Sequence, residues 1–333
     1  MRPHPTLWLP LLVTLALAQT PSCRSAEPPP GPAEDTPTVT APHPVIVRPA
    51  PGRMVAVGDI HGDLAAARRA LQLGGAVDGD GHWIGGELVV VQTGDVLDRG
   101  DDERAILDWF EVLEQEAADD GGAFVMLNAN HEVMAVGGEL SGTTEGALAA
   151  FRDLEGLPLD APAVVAAEEG ARHRIAAFQP GAPYALLLSE NDVIAQFGET
   201  LFVHGGVLPE HVERGLQVYN DETRAWMRGE GKPPAWGKQK DSPVWCRDYS
   251  KEPDEQDCDK LEQVLAATGT RRMVVGHTVQ KGGISSACDE QVWRIDVGLS
   301  RHYGHDPEVL EIVGNQVRVL RVSEEEAAPT PGP

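Results

Sequence analysis

Leu88-Val89-Val90-Val91-Gln92-Thr93-Gly94-Asp95-Val96-Leu97-Asp98-Arg99-Gly100 is the stretch from which the fold can be read. Its apolar half, Leu88 to Val91, is continuous rather than alternating, as in a strand buried on both faces of a parallel sheet. Two glycines then bracket a turn, so the backbone can bend sharply as it leaves the sheet. Between them stand two carboxylates three residues apart and an arginine. Ligands of open α/β sheets bind outside the carboxyl ends of the strands, which is where this charged turn falls.

The same pattern recurs on both sides of it. Upstream, Arg53 to Val57 reads as the first core strand and runs into Gly58-Asp59-Ile60-His61-Gly62, with a helix over Leu64–Leu73 behind it. Asp59 and His61, two residues apart in extended backbone, face the same way and can reach one ion. Downstream, a helix from Asp101 to about Ala118 puts Ile106, Phe110 and Leu113 on one face. Ala123 to Leu127 is the third buried strand, and at its tip stands Asn128-Ala129-Asn130-His131-Glu132. The stretch 133–192 is punctuated by Gly137-Gly138, Gly142 and Gly146, with short helices expected at Leu148–Leu154 and Val164–Glu169. It is expected to be a cap or side insertion, not a second core.

Val193–Phe197 and Leu201–Val203 then read as paired strands joined through Gly198, the second delivering His204-Gly205-Gly206. Helices near Glu210–Gly215 and Asn220–Met227 precede Ser242-Pro243-Val244-Trp245-Cys246-Arg247-Asp248-Tyr249, which combines an arginine with two aromatics. A helix over Lys260–Ala267 leads to the strand Arg272–Val275 and to Gly276-His277-Thr278. Val292–Val297, Val309–Val313 and Gln316–Val322 read as further strands, the last two a hairpin turned at Gly314-Asn315.

The chain as a whole sets bounds on this reading. With 333 residues, 41% of them hydrophobic, it can bury one large core or two modest ones. A formal net charge of −25 argues against nucleic acid as a partner, because a phosphate backbone requires clustered Lys and Arg. Low aromatic content with plentiful Gly and Pro suits a loop-rich α/β enzyme.

The first residues have the form of an export signal. Arg2 gives a positive start, Leu7 to Leu17 a short apolar run, and Ala16-Leu17-Ala18 a cleavage site before Gln19. A signal peptide is therefore expected over 1–18 and an exported protein, periplasmic or secreted. The run is short for a membrane span, and no other stretch qualifies. Lipidation of Cys23 is an alternative to simple cleavage, but Thr20-Pro21-Ser22 is a poor lipobox, and simple secretion is the expectation. Residues 19–51 are dense in Pro and read as an extended tether, with a short strand at Val45–Val47. That leaves 52–323 for a single domain and 324–333 for a disordered tail. Among Cys246, Cys258 and Cys288 three single bridges can be drawn; Cys258 with Cys288 is preferred.

Collected, the strand-tip residues are Asp59, His61, Asp95, Asn130, His204 and His277. Carboxylate and amide oxygens together with imidazole nitrogens suit Mn²⁺, Fe or Zn²⁺, whereas a Ca²⁺ site would lack the histidines. Six such ligands are too many for one catalytic ion with an open position. They are the right number for two ions about 3.5–4 Å apart that share a carboxylate. The central place of Asp95 in the order nominates it as the shared ligand.

In this order, G-D-I-H-G at 58–62, G-D-V-L-D-R-G at 94–100, N-A-N-H-E at 128–132, H-G-G at 204–206 and G-H-T at 276–278 resemble the calcineurin-like metallophosphoesterases. The resemblance covers roughly residues 53–322 and is to the phosphoprotein phosphatase branch. Within it, the 94–101 and 242–249 stretches, R-M-V-V-G-H-T at 272–278 and I-D-V-G-L-S at 295–300 are most similar to the Shewanella-like protein phosphatases. The resemblance implies an α/β fold (α+β by some schemes), a four-layer α-β-β-α sandwich with a dinuclear metal site at the strand tips. It implies that Asp59, His61 and Asp95 hold one ion and Asp95, Asn130, His204 and His277 the other, with Mn²⁺ preferred and Fe or Zn²⁺ as alternatives. It further implies that His131, oriented by Asp98, protonates the leaving oxygen, and that Arg99 and Arg247 grip the phosphate.

The expected reaction is hydrolysis of a phosphate monoester on a phosphoprotein or phosphopeptide, phosphotyrosine being favoured over phosphoserine and phosphothreonine. A hydroxide bridging the two ions would attack in line, with no covalent enzyme intermediate. The alternative is a small-molecule phosphoesterase such as a dinucleoside polyphosphate hydrolase, and more remotely an inactive, metal-stabilised binding module. A purple acid phosphatase is disfavoured, since no Tyr stands in the Gly94–Gly100 turn. Two positions depart from the family pattern. Ala129 replaces a Gly, so its backbone must avoid positive φ or accept strain. Asp248 replaces a common Gly, placing a carboxylate next in sequence to Arg247, where it could weaken anion binding or narrow the substrate range.

Overall fold

In the computed structural model the described residues are 47–322. The expected signal peptide, Cys23, most of the Pro-rich tether and the expected tail from 324 lie outside them. Among the described residues no helix is long and apolar enough to cross a membrane.

A short strand β1 (Val47–Arg48) is followed by three strand–loop–helix units. These are β2 (Met54–Val57) with α1 (Leu64–Leu73), β3 (Val89–Gln92) with α2 (Glu103–Asp119), and β4 (Ala123–Met126) with α3 (Asn130–Val136). The run from 137 to 192 is helical, with α4 (Glu145–Ala149), α5 (Pro162–Val165), α6 (Arg172–Phe178) and α7 (Pro183–Ser189). Then come β5 (Ile194–Phe197), β6 (Thr200–Val203), α8 (Pro209–Arg214), α9 (Leu216–Met227) and α10 (Glu255–Thr268). The chain ends with β7 (Arg272–Val275), β8 (Ser285–Ala287), β9 (Val292–Arg294) and the hairpin β10 (Glu308–Val313) and β11 (Gln316–Arg321).

The strands form two mixed sheets, ordered β11-β10-β2-β3-β4 and β1-β5-β6-β7-β9-β8. In the first, β2, β3 and β4 run parallel; in the second, β6, β7 and β9 do. Alternation along the second sheet shows how it is layered. Phe202 and Val274 join the large core that also holds Val55, Val90 and Phe124 of the first sheet. Their neighbours Leu201, Val203, Met273 and Val275 turn to a second core with Leu216 and Tyr219 of α9 and Leu261 and Val264 of α10. A strand with two buried faces favours apolar residues at successive positions, which is why β2, Val89–Val91 of β3 and Met273–Val275 of β7 read as unbroken runs. Two sheets flanked by helices are thus the fold that the sequence led us to expect.

Several boundaries differ for local reasons. α10 starts at Glu255 instead of Lys260, because the Asp254 carboxylate accepts from the Gln256 and Asp257 amides at 2.8 and 3.1 Å. α4 starts three residues before the helix expected at Leu148, capped by Thr144. α5 covers Pro162–Val165 where a helix was expected from Val164, and α7 too opens on a proline, the residue suited to a first turn. α6 and α7 were not anticipated at all. The strand expected over Val292–Val297 ends at Arg294, beyond which the Gly298 amide folds back onto Asp296. Cys258 and Cys288 form the disulfide, tying α10 to the turn after β8, while Cys246 is buried and free.

On α2, Glu114 is half-buried, and burial, then the charges of Glu111 and Glu190, push its carboxyl up to about 7 from an ordinary 4.5. The folded state therefore binds this proton more tightly than the unfolded chain, and stability falls as pH rises from about 4.5 to about 7. Solvent screening keeps the cost near ~1 kcal/mol. Glu114→Gln is expected to raise Tm by about 3 °C at pH 8 and to leave it unchanged at pH 4, as measured by scanning calorimetry.

Candidate active site

The parallel strands of both sheets end at one edge, and the loops leaving them are stitched together. The amides of Ile60 and His61 donate to Asp95 O at 3.0 and 2.9 Å, and the Gly62 amide donates to Val96 O at 2.8 Å. Glu132, fully buried, accepts from the amides of Asp95, Val96 and Ala129 at 3.0, 2.9 and 2.9 Å, moulding the turn after β3 against that after β4. Gly94, at φ 90°, lies so near Ala129 that a Cβ there would collide with the Ala129 methyl. Ala129 itself is extended, with φ −109°, so the departure from Gly carries no strain. Strain is instead held by His61, Asp95, Asp98, Arg99 and His277, all left-handed, as backbone at functional sites often is.

All six expected ligands are buried and lie together. Asp95 Oδ2 stands 3.2 Å from His204 Nε2 and 3.8 Å from both His61 Nε2 and His131 Nε2. His204 Nε2 faces His277 Nδ1 at 3.0 Å. Asp59 accepts from the His277 amide at 3.2 Å and lies 3.9 Å from His204 Nδ1. Two groups can each gather around one ion: Asp95 with His204 and His277, and Asp95 with His61 and His131. Asp95 is common to both. His131, expected only as an acid, therefore sits as near the second group as a ligand does.

The donors suit a metal. Nδ1 of His61 and of His204 donates to the carbonyls of Leu97 and Thr93, at 3.0 and 2.9 Å, leaving each Nε2 as the free donor atom. Burial pushes His61 down to about 4 and His277 to about 2, so both rings are neutral at neutral pH, each with one nitrogen free of a proton. Burial, followed by the charges of Asp296 and Asp95, raises Asp59 well above the usual carboxylate range. Carboxylates crowded in this way are relieved by a cation. Asn130 Oδ1 is buried without any hydrogen-bond partner, an orphan that an ion would satisfy.

Next to this cluster, His131 Nδ1 donates to Asp98 Oδ2 at 2.6 Å. Burial alone would lower His131, but the Asp95 charge and the Asp98 bond outweigh it and push it up to about 9. Asp98 Oδ1 accepts from Thr143 Oγ1 at 2.6 Å and from Arg174 Nη2 at 3.1 Å. Arg247 Nη1 donates to His277 O and Thr278 Oγ1 at 3.0 and 2.7 Å. The neighbouring Asp248 is held by Lys260 Nζ at 2.8 Å, so the carboxylate suspected of opposing Arg247 already has a cation of its own. Arg99 stands over the Tyr303 ring, 5.6 Å from its centre.

Arg99, Arg247, His131 and the expected ligands Asp95, Asn130 and His277 line one cavity of about 450 Å³. Trp245, Tyr303 and Met134 complete its walls. Of the residues not anticipated as functional, Glu132 and Asp296 stood inside quoted motifs, and Tyr303 followed one closely. Arg174 and Thr143 carried no signal, since each is an isolated residue of the weakly patterned stretch 133–192.

Comparison with known proteins is consistent with this geometry. The sequence profile of the calcineurin-like phosphoesterases matches residues 52–281. The chain is 39% identical over 294 residues to Shewanella-like protein phosphatase 2 of Arabidopsis thaliana, covering 79% of this chain and 75% of that one. It is 25% identical over 284 residues to Shewanella-like protein phosphatase 1 of Plasmodium berghei, covering 81% and 74%. Among solved structures, a cold-active protein tyrosine phosphatase superposes with a TM-score of 0.64 at 25% identity, over 82% of this chain and 77% of the other.

Proposed function

This chain belongs to the calcineurin-like phosphoesterase family and is a metal-dependent phosphoester hydrolase, and on that premise we propose that it dephosphorylates phosphoproteins, phosphotyrosine before phosphoserine or phosphothreonine. The observation that carries the proposal is the single cavity in which metal-competent ligands, the His131–Asp98 pair and two arginines converge. The tyrosine preference draws on the aromatic walls Trp245 and Tyr303, which suit a phosphorylated ring, and on the likeness to the cold-active tyrosine phosphatase.

Asp59, His61 and Asp95 would hold one ion, and Asp95, Asn130, His204 and His277 the other, Mn²⁺ being proposed for both. Two bound cations supply Lewis acidity, neutralising phosphoryl oxygens and making water acidic enough to attack at neutral pH. The rest is the work of side chains. Arg99 and Arg247 bind the phosphoryl oxygens through paired N–H groups and stabilise the charge that spreads over them. His131 holds a proton on Nε2 because Nδ1 is committed to Asp98, and it delivers that proton to the departing oxygen. The ring of a phosphotyrosine would rest between Trp245 and Tyr303. Export forms part of the reading, supported by the Cys258–Cys288 disulfide, a bond that persists in oxidising compartments.

Turnover of Mn²⁺-loaded enzyme on a phosphotyrosine peptide, the matching phosphoserine peptide and diadenosine tetraphosphate tests this. The largest kcat/KM is expected on the phosphotyrosine peptide. A preference for the dinucleotide would replace the proposal with that of a small-molecule hydrolase.

A further inference from the structure

Arg174 is the largest fully buried side chain among the described residues, only 1% exposed, and it lies on α6, outside every motif. A cation so deeply buried is costly unless fully paired. Its Nε donates to Glu103 Oε1 at 2.5 Å, and its Nη2 donates to both Glu103 Oε2 and Asp98 Oδ1 at 3.1 Å. Glu103 Oε2 in turn accepts from the Asp98 amide at 3.1 Å. One guanidinium thus grips Asp98 twice, directly at its carboxylate and through Glu103 at its backbone.

Asp98 needs such support. Its backbone is left-handed, φ 64°, in a turn with no helix or strand to fix the side chain. With Oδ1 claimed by Arg174 and Thr143, only Oδ2 remains for His131 Nδ1. We propose that Arg174 is a positioning residue for proton delivery: by bridging Glu103 and Asp98 it sets the direction in which Asp98 holds the His131 ring. The helical stretch between β4 and β5 thereby takes part in aiming the acid. A planar fork can span two carboxylates along one edge, whereas a lysine ammonium is a point charge and cannot. This inference rests on the general-acid reading of His131.

Arg174→Lys, isolated with its metals, is to be compared with the unaltered protein on phenyl phosphate and p-nitrophenyl phosphate, with metal content followed by mass spectrometry. Because only the poor phenoxide leaving group depends strongly on a proton, kcat is expected to fall about tenfold more on phenyl phosphate than on the nitrophenyl ester, a fraction of what a positioned acid contributes. Metal content and KM should not change. The double variant R174M/E103Q, which removes both buried charges together, should show the same split. Equal losses on the two esters in a folded, metal-replete variant, or loss of the fold in both variants, would make Arg174 a structural support only and overturn the assignment. His131→Asn is the control. If it too lacks the split, the acid reading itself fails; if it alone shows the split, only the role of Arg174 fails.

Discussion

Asp95→Asn is expected to empty the metal centre. Asp95 Oδ2 is the one atom that both metal-competent groups share, 3.2 Å from His204 Nε2 and 3.8 Å from His61 Nε2. Asparagine keeps the shape and one oxygen but removes the negative charge that two cations would share, and its amide nitrogen cannot bind a cation. Both positions should weaken together, so the metal-to-protein ratio measured by mass spectrometry should drop from two to below one. Metal assistance to phosphoryl transfer is worth several kcal/mol, and losing about 4 kcal/mol lowers kcat/KM by about 10³-fold. A variant that retained two ions at full occupancy would sink the shared-ligand assignment. The fold should survive, because the Asp95 amide and carbonyl, bonded to Glu132 and to Ile60 and His61, are untouched.

The second large effect belongs to His131. Asparagine there approximates the Nδ1 edge of the imidazole and can still donate to Asp98, whose other oxygen keeps Thr143 and Arg174. The variant should therefore fold and hold its metals while lacking a proton to give. A positioned acid contributes about 10²–10⁴-fold, and that loss should fall on phosphoserine peptides and alkyl phosphates. p-Nitrophenyl phosphate, which needs little protonation, should lose far less. Parallel rate losses on good and poor leaving groups would remove His131 from the acid role.

How much of this could be read from the chain alone follows from what each residue needs. Strands buried on both faces announce themselves as apolar runs, so β2, β3, β6 and β7 were legible, as was the apolar edge strand β4, and with them the loops at their tips. The six candidate ligands stood out because each is a polar residue placed where an apolar run stops. Arg174 was not legible. Its role depends on tertiary contact with Asp98 and Glu103, far away in sequence, and no local periodicity encodes such a contact. The same holds for Asp248, whose carboxylate looked adverse beside Arg247 until Lys260, on another element, was seen to neutralise it. The helices α4 to α7 are short and capped by context, too brief for an amphipathic pattern to accumulate.

Glu132 has a consequence for anyone wishing to transplant this chemistry. Its carboxylate serves amides from two loops that follow different strands. The turn Gly94–Gly100 is therefore cast against a part it does not contain. Grafted by itself onto another sheet it would be a loop without its mould, and its left-handed residues would relax. The smallest portable unit is the pair of strand ends, β3 and β4, carried together with the first turn of α3.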